Sequence, residues 1–319
     1  MSICLAAEVP GNLTSVSDHA SEGSECFSPQ VTRAILDAAC TKAGLNSTGA
    51  TRIRTGENAL YRLANKPIIV RIARSMDYWN EAVNEVHVAQ WLASADYPGA
   101  TVVPDLGQPI EALGHPVTLW LLIPGADAKP QDITRLARLL RQLHSLSPPS
   151  DFTLPAYDFT ERVIRRLETS LAADNDKSYL LAKFKELDEE VNRLVFPLDK
   201  APVHGDAHIK NVMVIGYNPV LIDFEHVGFG QPEWDLAMTA TEYVTARWWL
   251  DQQYAAFART YGFDVTTWSG FDVLRQVHEI KMTTWLMQNI SQSREIAEEF
   301  AARMQSIRLQ QPGPRWKPF

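Results

Sequence analysis

The sequence is short of cysteine, of long apolar runs and of basic charge, and each shortage excludes a class of protein. Its three cysteines, Cys4, Cys26 and Cys40, have no paired spacing for a metal site or a disulfide framework. They read as free thiols in a reducing compartment. No apolar stretch approaches the roughly 20 residues that a spanning helix needs, so no membrane partner is expected. Residues 1–10 lack a basic region before their short apolar stretch, so no secretory signal is expected and the location expected is cytoplasmic. The formal charge of -8 argues against recognition of nucleic acid through a basic surface. There is no internal repeat.

What is present suits a soluble enzyme. A chain of 319 residues can fill two domains and a sizeable core. Residues 1–27 are rich in Ser, Gly, Asn and Glu without apolar period and read as a mobile tail. Val31, Ala34, Ile35, Ala38 and Ala39 form a helical stripe closed by Gly44. Residues 59–64 and 67–73 read as a hairpin turning at Asn65-Lys66. Residues 80–93 return to helical period, and 117–123 form an apolar strand stopped by Pro124-Gly125. Residues 28–124 are thus one strand-rich domain with an embedded helix. Residues 125–310 read as mainly helical, with a helix capped by Asp132, further helices over 159–171 and 178–195, and a Trp-rich helical stretch from Glu233. Short strands over 212–215 and 220–222 interrupt them, and 311–319 is an irregular, proline-rich tail.

The chemistry concentrates in Val203-His204-Gly205-Asp206-Ala207-His208-Ile209-Lys210-Asn211, followed on a strand end by Asp223. Phosphoryl transfer needs one carboxylate to accept a hydroxyl proton, and a second carboxylate with a carboxamide to hold Mg²⁺ on a triphosphate. Asp206 and Asn211 have the Asp-four residues-Asn spacing of a kinase catalytic loop, and Asp223 stands where a metal-ligating Asp belongs.

This run resembles the aminoglycoside phosphotransferase family, the antibiotic and choline kinase-like branch of the protein-kinase fold. The likeness rests on His-Gly-Asp-x-His-x-x-Asn at 204–211, Ile-Asp-Phe-Glu at 222–225, and Gly228, Gly230, Pro232, Trp234, Asp235, Leu236 and Ala237 beyond. The resemblance implies a two-lobed α/β (α+β) kinase-like fold with a small strand-rich nucleotide lobe and a larger helical lobe. It implies that Asp206 is the catalytic base and that Asn211 and Asp223 hold the metal. It makes His204 and Asp235 residues that brace the loop, and it leaves His208 either a phosphate contact or a support of the loop. His144, at a helix end, is read as structural.

In the nucleotide half, Gly56 and Asn58 match the phosphate loop by position. Arg71 stands where protein kinases carry Lys, and Glu85 is its expected helix partner, with Glu81 the alternative. Leu121 and Leu122 fall at the hinge whose backbone would bond adenine, with Ile222 and Ile68 or Val70 against its faces. The family's acceptor region holds Glu233, Trp234, Glu242, His278 and Trp285, acids beside aromatics that would suit an amine and a flat or glycosidic surface. The partners expected are ATP or GTP with Mg²⁺ and a small-molecule hydroxyl acceptor, with no obligate protein partner. The leading acceptor is an aminoglycoside or other antibiotic, which would make this a resistance enzyme. The alternatives are a metabolite such as choline, a sugar, methylthioribose or homoserine, or an inactive nucleotide-binding module.

Overall fold

The computed structural model describes residues 27–56, 58–291, 293–310 and 315–319. Almost all of the expected N-terminal tail therefore lies outside the described residues. Up to Asp127 the chain forms α1 (Pro29–Lys42), β1 (Thr51–Thr55), β2 (Asn58–Arg62), β3 (Ile68–Ala73), α2 (Trp79–Ser94), β4 (Ile110–Ala112), β5 (His115–Leu121) and β6 (Ala126–Asp127). There follow α3 (Ile133–His144), α4 (Glu161–Thr169), α5 (Asp174–Val191), β7 (Ala201–Val203), β8 (Val212–Ile215), β9 (Asn218–Leu221) and β10 (Gly228–Gly230). The chain ends in α6 (Glu233–Val244), α7 (Asp251–Tyr261), α8 (Phe271–Met287) and α9 (Arg294–Leu309). No described helix is long and apolar enough to cross a membrane.

These elements make two compact units. One runs to Asp127 and resumes over Lys210–Glu225; the other comprises Ala128–Ile209 and His226–Phe319. The first unit carries an antiparallel sheet in the order β1-β2-β3-β5-β4 and a second sheet in the order β6-β8-β9. Ile35, Leu36, Ala39 and Cys40 of α1 pack against Tyr61, Ile68, Val70, Ile72, Val117 and Leu119 of the large sheet. Full burial of such aliphatic side chains contributes about 1.5–3 kcal/mol each. A buried hydrogen bond of 2.8 Å between the hydroxyls of Thr32 and Tyr61 ties helix to sheet. At the start of α1, the Ser28 hydroxyl accepts from the Val31 amide and Pro29 occupies the first turn.

The expected hairpin is β2 and β3. The sequence reading missed β1, whose Thr-Arg-Ile-Arg-Thr holds one apolar residue and lies at the sheet edge. It also assigned 210–225 to the helical part. This segment instead joins the first unit, because β8 pairs with β6, the Leu221 amide donates to the Pro98 carbonyl, and the Leu221 carbonyl accepts from Ala100. Phe27, assigned to the tail, is buried in the first unit's core.

In the second unit α8 is central, packing against α4, α5, α6 and α9, while α3 packs on α7. β10 pairs antiparallel with β7. Asp132 precedes α3 but does not cap it: its carboxylate accepts from the Lys129 amide, closing the turn ahead of the helix. The described end of the chain is irregular yet anchored. Trp316 is buried under the Arg303 guanidinium, 4.6 Å from ring centroid to Cζ, and its carbonyl accepts from Trp248 Nε1 at 2.6 Å.

Candidate active site

β7 delivers the sequence 204–208 as a loop whose shape is held from α6. Asp235 lies in the first turn of that helix and is 1% exposed. One of its oxygens accepts from the His204 amide at 2.6 Å and the other from the Gly205 amide at 2.8 Å. His144, at the end of α3, adds a third bond to Asp235 at 3.0 Å through Nε2, and its Nδ1 lies 2.9 Å from the Tyr261 hydroxyl. A proton on Nε2 satisfies both contacts, with the Tyr261 hydroxyl donating to Nδ1. The Asp235 carboxyl stays below the usual carboxylate range: burial opposes its charge, and these donors outweigh burial.

Gly205 is enclosed as well as turned. Its φ is +78°, and a Cβ there would come 2.6 Å from the His226 carbonyl oxygen and 2.8 Å from the Tyr157 ring. Only glycine meets both conditions without displacement. The loop thereby presents Asp206, whose side chain is 32% exposed, with Oδ2 at 3.3 Å from His208 Nε2. Burial pushes against ionisation of Asp206, but His208 and His226 hold its carboxyl well below the ordinary range. His204 is fully buried, and its Nδ1 accepts from the Asp206 amide at 3.3 Å. His208 faces Asp206, its loop neighbour.

In the first unit the decisive side chain is Arg71 on β3. Its guanidinium binds Glu85 of α2 at 2.5 Å, Asp223 at 3.3 Å and Glu225. With the Asn58 amide turned to accept, the carboxamide oxygen of Asn58 lies 2.7 Å from Arg71 Nη2. Glu85, and not Glu81, is therefore the partner. Phe224 is fully buried against Trp120 and beneath Gly99, which fixes the strand end on which Asp223 and Glu225 flank it. Asp223 has φ +70°, a conformation that Asp tolerates better than most residues. The Ile222 amide donates to the Asn211 carbonyl at 3.0 Å, which keeps the buried Asn211 beside the Asp223 segment.

One guanidinium faces three carboxylates. Burial first, and then Asp223 and Glu225, push Glu85 up to about 8 against the pull of Arg71. The same carboxylates outweigh burial at Arg71 and hold its pKa above the ordinary arginine range. Such an excess of negative charge is relieved by a cation. The donor set of Asn211 and Asp223 fits Mg²⁺, a hard ion that takes one or two protein oxygens and completes its shell with phosphates and water. Among the described residues no cluster of three His, Cys, Asp or Glu forms a self-sufficient metal cage.

The model of the APH family, described as a phosphotransferase enzyme family, matches residues 50–277. The chain belongs to this family. It is a small-molecule kinase, an ATP-dependent phosphotransferase acting on an alcohol, with the kinase-like fold. Among solved structures, an amicoumacin kinase in complex with AMP-PNP and calcium matches with a TM-score of 0.69 at 17% identity, covering 88% of this chain and 95% of that one. A choline/ethanolamine kinase family protein from Mesorhizobium loti gives 0.58 at 19%, covering 87% and 94%. An aminoglycoside phosphotransferase from Streptomyces rimosus gives 0.57 at 20%, covering 77% and 98%. No curated protein sequence matches.

In this phosphotransferase several expected contacts need correction. The amides of Leu121 and Leu122 donate to the carbonyls of Thr101 and Pro67, both at 2.8 Å, so these two amides, though not the neighbouring carbonyls, are engaged within the protein. The next amide, that of Ile123, donates to no described residue. Ile68 and Val70 are buried in the core with α1, while Ile222 is half-buried. The carbonyl of Gly56 accepts from Arg74 Nε and Nη2 at 3.0 and 2.8 Å, so Arg74 closes this loop.

The residues expected to bind acceptor are mostly enclosed. Glu233, Trp234, Glu242 and His278 are at most 4% exposed. Glu233 accepts from the Leu198 amide at 2.7 Å, and Glu242 from Trp249 Nε1 at 2.8 Å. Trp234 stacks on Phe159 with ring centroids 4.4 Å apart, and its carbonyl accepts from His278 Nε2 at 3.0 Å. Burial, with Lys281 nearby, pushes His278 down to about 3, so the ring is neutral. The reason is helical packing: α6 and α8 bury nearly their whole circumference, so acids at those positions need partners inside the core. Trp285 is half-buried. Sequence reasoning missed Lys281, on α8, whose ammonium donates to the Tyr157 hydroxyl at 3.0 Å and the Gly205 carbonyl at 3.4 Å.

Proposed function

We propose that Asp206 accepts the proton of the acceptor hydroxyl and orients the attacking oxygen, and that Asn211 and Asp223 hold Mg²⁺. The observation that carries the first role is the fixed loop. Asp235 pins the two amides before Asp206, and nearby His208 and His226 keep the Asp206 carboxylate ionised while part of it remains exposed. A base needs that combination of fixed direction, retained charge and access. Mg²⁺, when bound, supplies neutralisation of charge on the phosphates. Arg71, aimed by Glu85 and Asn58, positions the nucleotide phosphates. His204 and Asp235 act by shaping the loop.

The adenine ring is read here as bonding the Ile123 amide and neighbouring hinge carbonyls, with Ile222 against one face. A nucleoside triphosphate as co-substrate accords with the AMP-PNP held by the amicoumacin kinase. The acceptor is a small alcohol. The antibiotic reading from sequence followed from the family resemblance; the enclosure of Glu233 and Glu242 in the core removes these two acids as binders of amines.

The test is Asp206→Asn, assayed for Mg²⁺-dependent ATP consumption over a panel of alcohols, with nucleotide binding followed by calorimetry. Turnover is expected to fall by about 10²–10⁴-fold, the usual contribution of a positioned base, while nucleotide still binds. Turnover within a few-fold of the parent would refute the role of Asp206.

A further inference from the structure

Gly205 turns the loop at φ +78°, and without a side chain it leaves the next peptide plane little intrinsic preference. That plane joins the Gly205 carbonyl to the Asp206 amide, and its tilt sets where the Asp206 side chain points. Asp235 fixes the two planes before it, through the amides of His204 and Gly205. The plane itself is held at both ends by other groups. His204 Nδ1 accepts from the Asp206 amide at 3.3 Å, and Lys281 Nζ donates to the Gly205 carbonyl at 3.4 Å.

Both bonds are long, and Tyr157 adds a steric stop to them. The backbone around Tyr157 is joined to β10: its amide donates to the Phe229 carbonyl at 3.0 Å, and the Phe229 amide donates to the Pro155 carbonyl at 2.8 Å. Two glycines of β10 allow this close approach. A Cβ on Gly230 would fall 2.7 Å from Tyr157 Cβ, and one on Gly228 would fall 2.8 Å from the Pro155 carbonyl oxygen. The ring so placed lies against Gly205, where a Cβ would come within 2.8 Å of it. Its hydroxyl accepts from Lys281 Nζ at 3.0 Å. Gly205, Tyr157 and Lys281 therefore form a closed triangle of contacts, and the ammonium is the corner that reaches the peptide plane.

We propose that Lys281, set by the Tyr157 hydroxyl, is a positioning residue that fixes the Gly205–Asp206 peptide plane and so aims the Asp206 carboxylate at the acceptor hydroxyl. This role rests on the reading of Asp206 as the base. Lys281 acts through the loop and touches neither acceptor nor phosphate. Its effect falls on rate, because an error of about 1 Å in the placement of a reacting group costs about 10²-fold. The Tyr157 hydroxyl acts only by placing the ammonium, so the two side chains form one unit.

The experiment measures Mg²⁺-dependent ATP consumption with the fastest of choline, homoserine, methylthioribose, glucose and kanamycin, or with water as acceptor where none of them reacts. Nucleotide affinity is followed by calorimetry. In Lys281→Met kcat should fall by about 10–100-fold, while acceptor KM and nucleotide affinity stay within about threefold of the parent. Lys281→Arg, which keeps a donor, should recover part of the loss. Tyr157→Phe keeps the ring against Gly205 and loses only the hydroxyl, so kcat should fall by about 3–10-fold. Added to Lys281→Met, it should lower kcat no further, because the hydroxyl acts through the ammonium.

The unaltered enzyme gives a second reading through pH. Burial pushes Lys281 down to about 8, with Arg166 and Arg162 adding to it and Asp206 and Asp235 opposing. Asp158 is a further carboxylate in range of Tyr157. Asp206 and Asp235 ionise below the ordinary carboxylate range, Tyr157 is held well above its own, and His278 is neutral. A neutral amine donates more weakly than an ammonium, so kcat should settle about 3–10-fold lower as pH rises through about 8, at constant acceptor KM. Glu85 of the first unit gains charge near the same pH, but it is unaltered in Lys281→Met, where the step should vanish. A Lys281→Met variant with kcat within about threefold of the parent would overturn the positioning role, as would one that raises acceptor KM at constant kcat. A flat parent profile, or a step of equal size in Lys281→Met, would do the same. Turnover retained in Asp206→Asn would overturn the base, and the role of Lys281 with it. An inactive Asp206→Asn beside an unimpaired Lys281→Met would overturn the role of Lys281 alone.

Discussion

Replacing Asp235 with alanine tests whether one buried carboxylate holds the catalytic loop. Three donors converge on it: the amides of His204 and Gly205 at 2.6 and 2.8 Å, and His144 Nε2 at 3.0 Å. The substitution leaves all three facing an apolar cavity. Each stranded donor costs about 1–3 kcal/mol, so the sum falls near 3–9 kcal/mol, and partial relaxation of the loop places the expected value at about 4–6. Against a total stability of about 5–15 kcal/mol this is a large fraction. At roughly 2–4 °C per kcal/mol the melting temperature should drop by about 8–24 °C. Urea melts of the variant and of Asp206→Asn provide the comparison, because Asp206 is part exposed and its loss should move stability by under about 1 kcal/mol. The pH dependence gives a second reading. Asp235 has a folded-state pKa below its unfolded value, so its contribution is present above the ordinary carboxylate range and vanishes as pH falls through the depressed value. The variant should therefore lose part of the parent's acid sensitivity. A variant within 1 kcal/mol of the parent, with the same acid profile, would refute the bracing role.

Two further substitutions address the first unit. Arg71→Met leaves Glu85, Asp223 and Glu225 without their common guanidinium and should destabilise by about 3–5 kcal/mol in urea melts, where a surface arginine would change stability by under about 0.5 kcal/mol. Asp223→Ala should weaken Mg²⁺-dependent nucleotide binding at least about tenfold by calorimetry; unchanged binding would remove Asp223 from the metal site.

The proposed catalytic segment could be singled out in sequence because its pattern is local. Asp206 and Asn211 sit on one short loop, and their spacing carries the geometry. Asp235 was singled out through the family resemblance, and its place in a first helical turn suits a carboxylate that accepts from backbone amides. Glu225 belonged to the same motif, but its pairing with Arg71 joins residues 154 positions apart, and no local pattern reports that. The acceptor side was misread for a related reason. Acids and tryptophans on α6 and α8 look like a binding face until packing shows those helices buried almost all round, Glu242 serving Trp249 and Trp234 lying on Phe159. Lys281 lies between buried Ile280 and Met282, where a lysine in sequence suggests only a solvated position. β1 escaped because edge strands need little apolar content.

The interleaving of the two units has a consequence for biosynthesis. The first unit's smaller sheet gains two of its three strands from Lys210–Glu225, so a nascent chain cannot complete that unit until residue 225 has left the ribosome. Over the intervening stretch, β6 waits without its partner β8 while the helices of Ala128–Ile209 are being made. A fragment ending at Asp127 should therefore be aggregation-prone, with an unpaired strand where the intact protein has a hairpin. The hairpin that Asn211 and Asp223 flank is thus also the piece that finishes the first unit, so a chain released before β9 lacks both the closed sheet and Asp223, the proposed metal ligand.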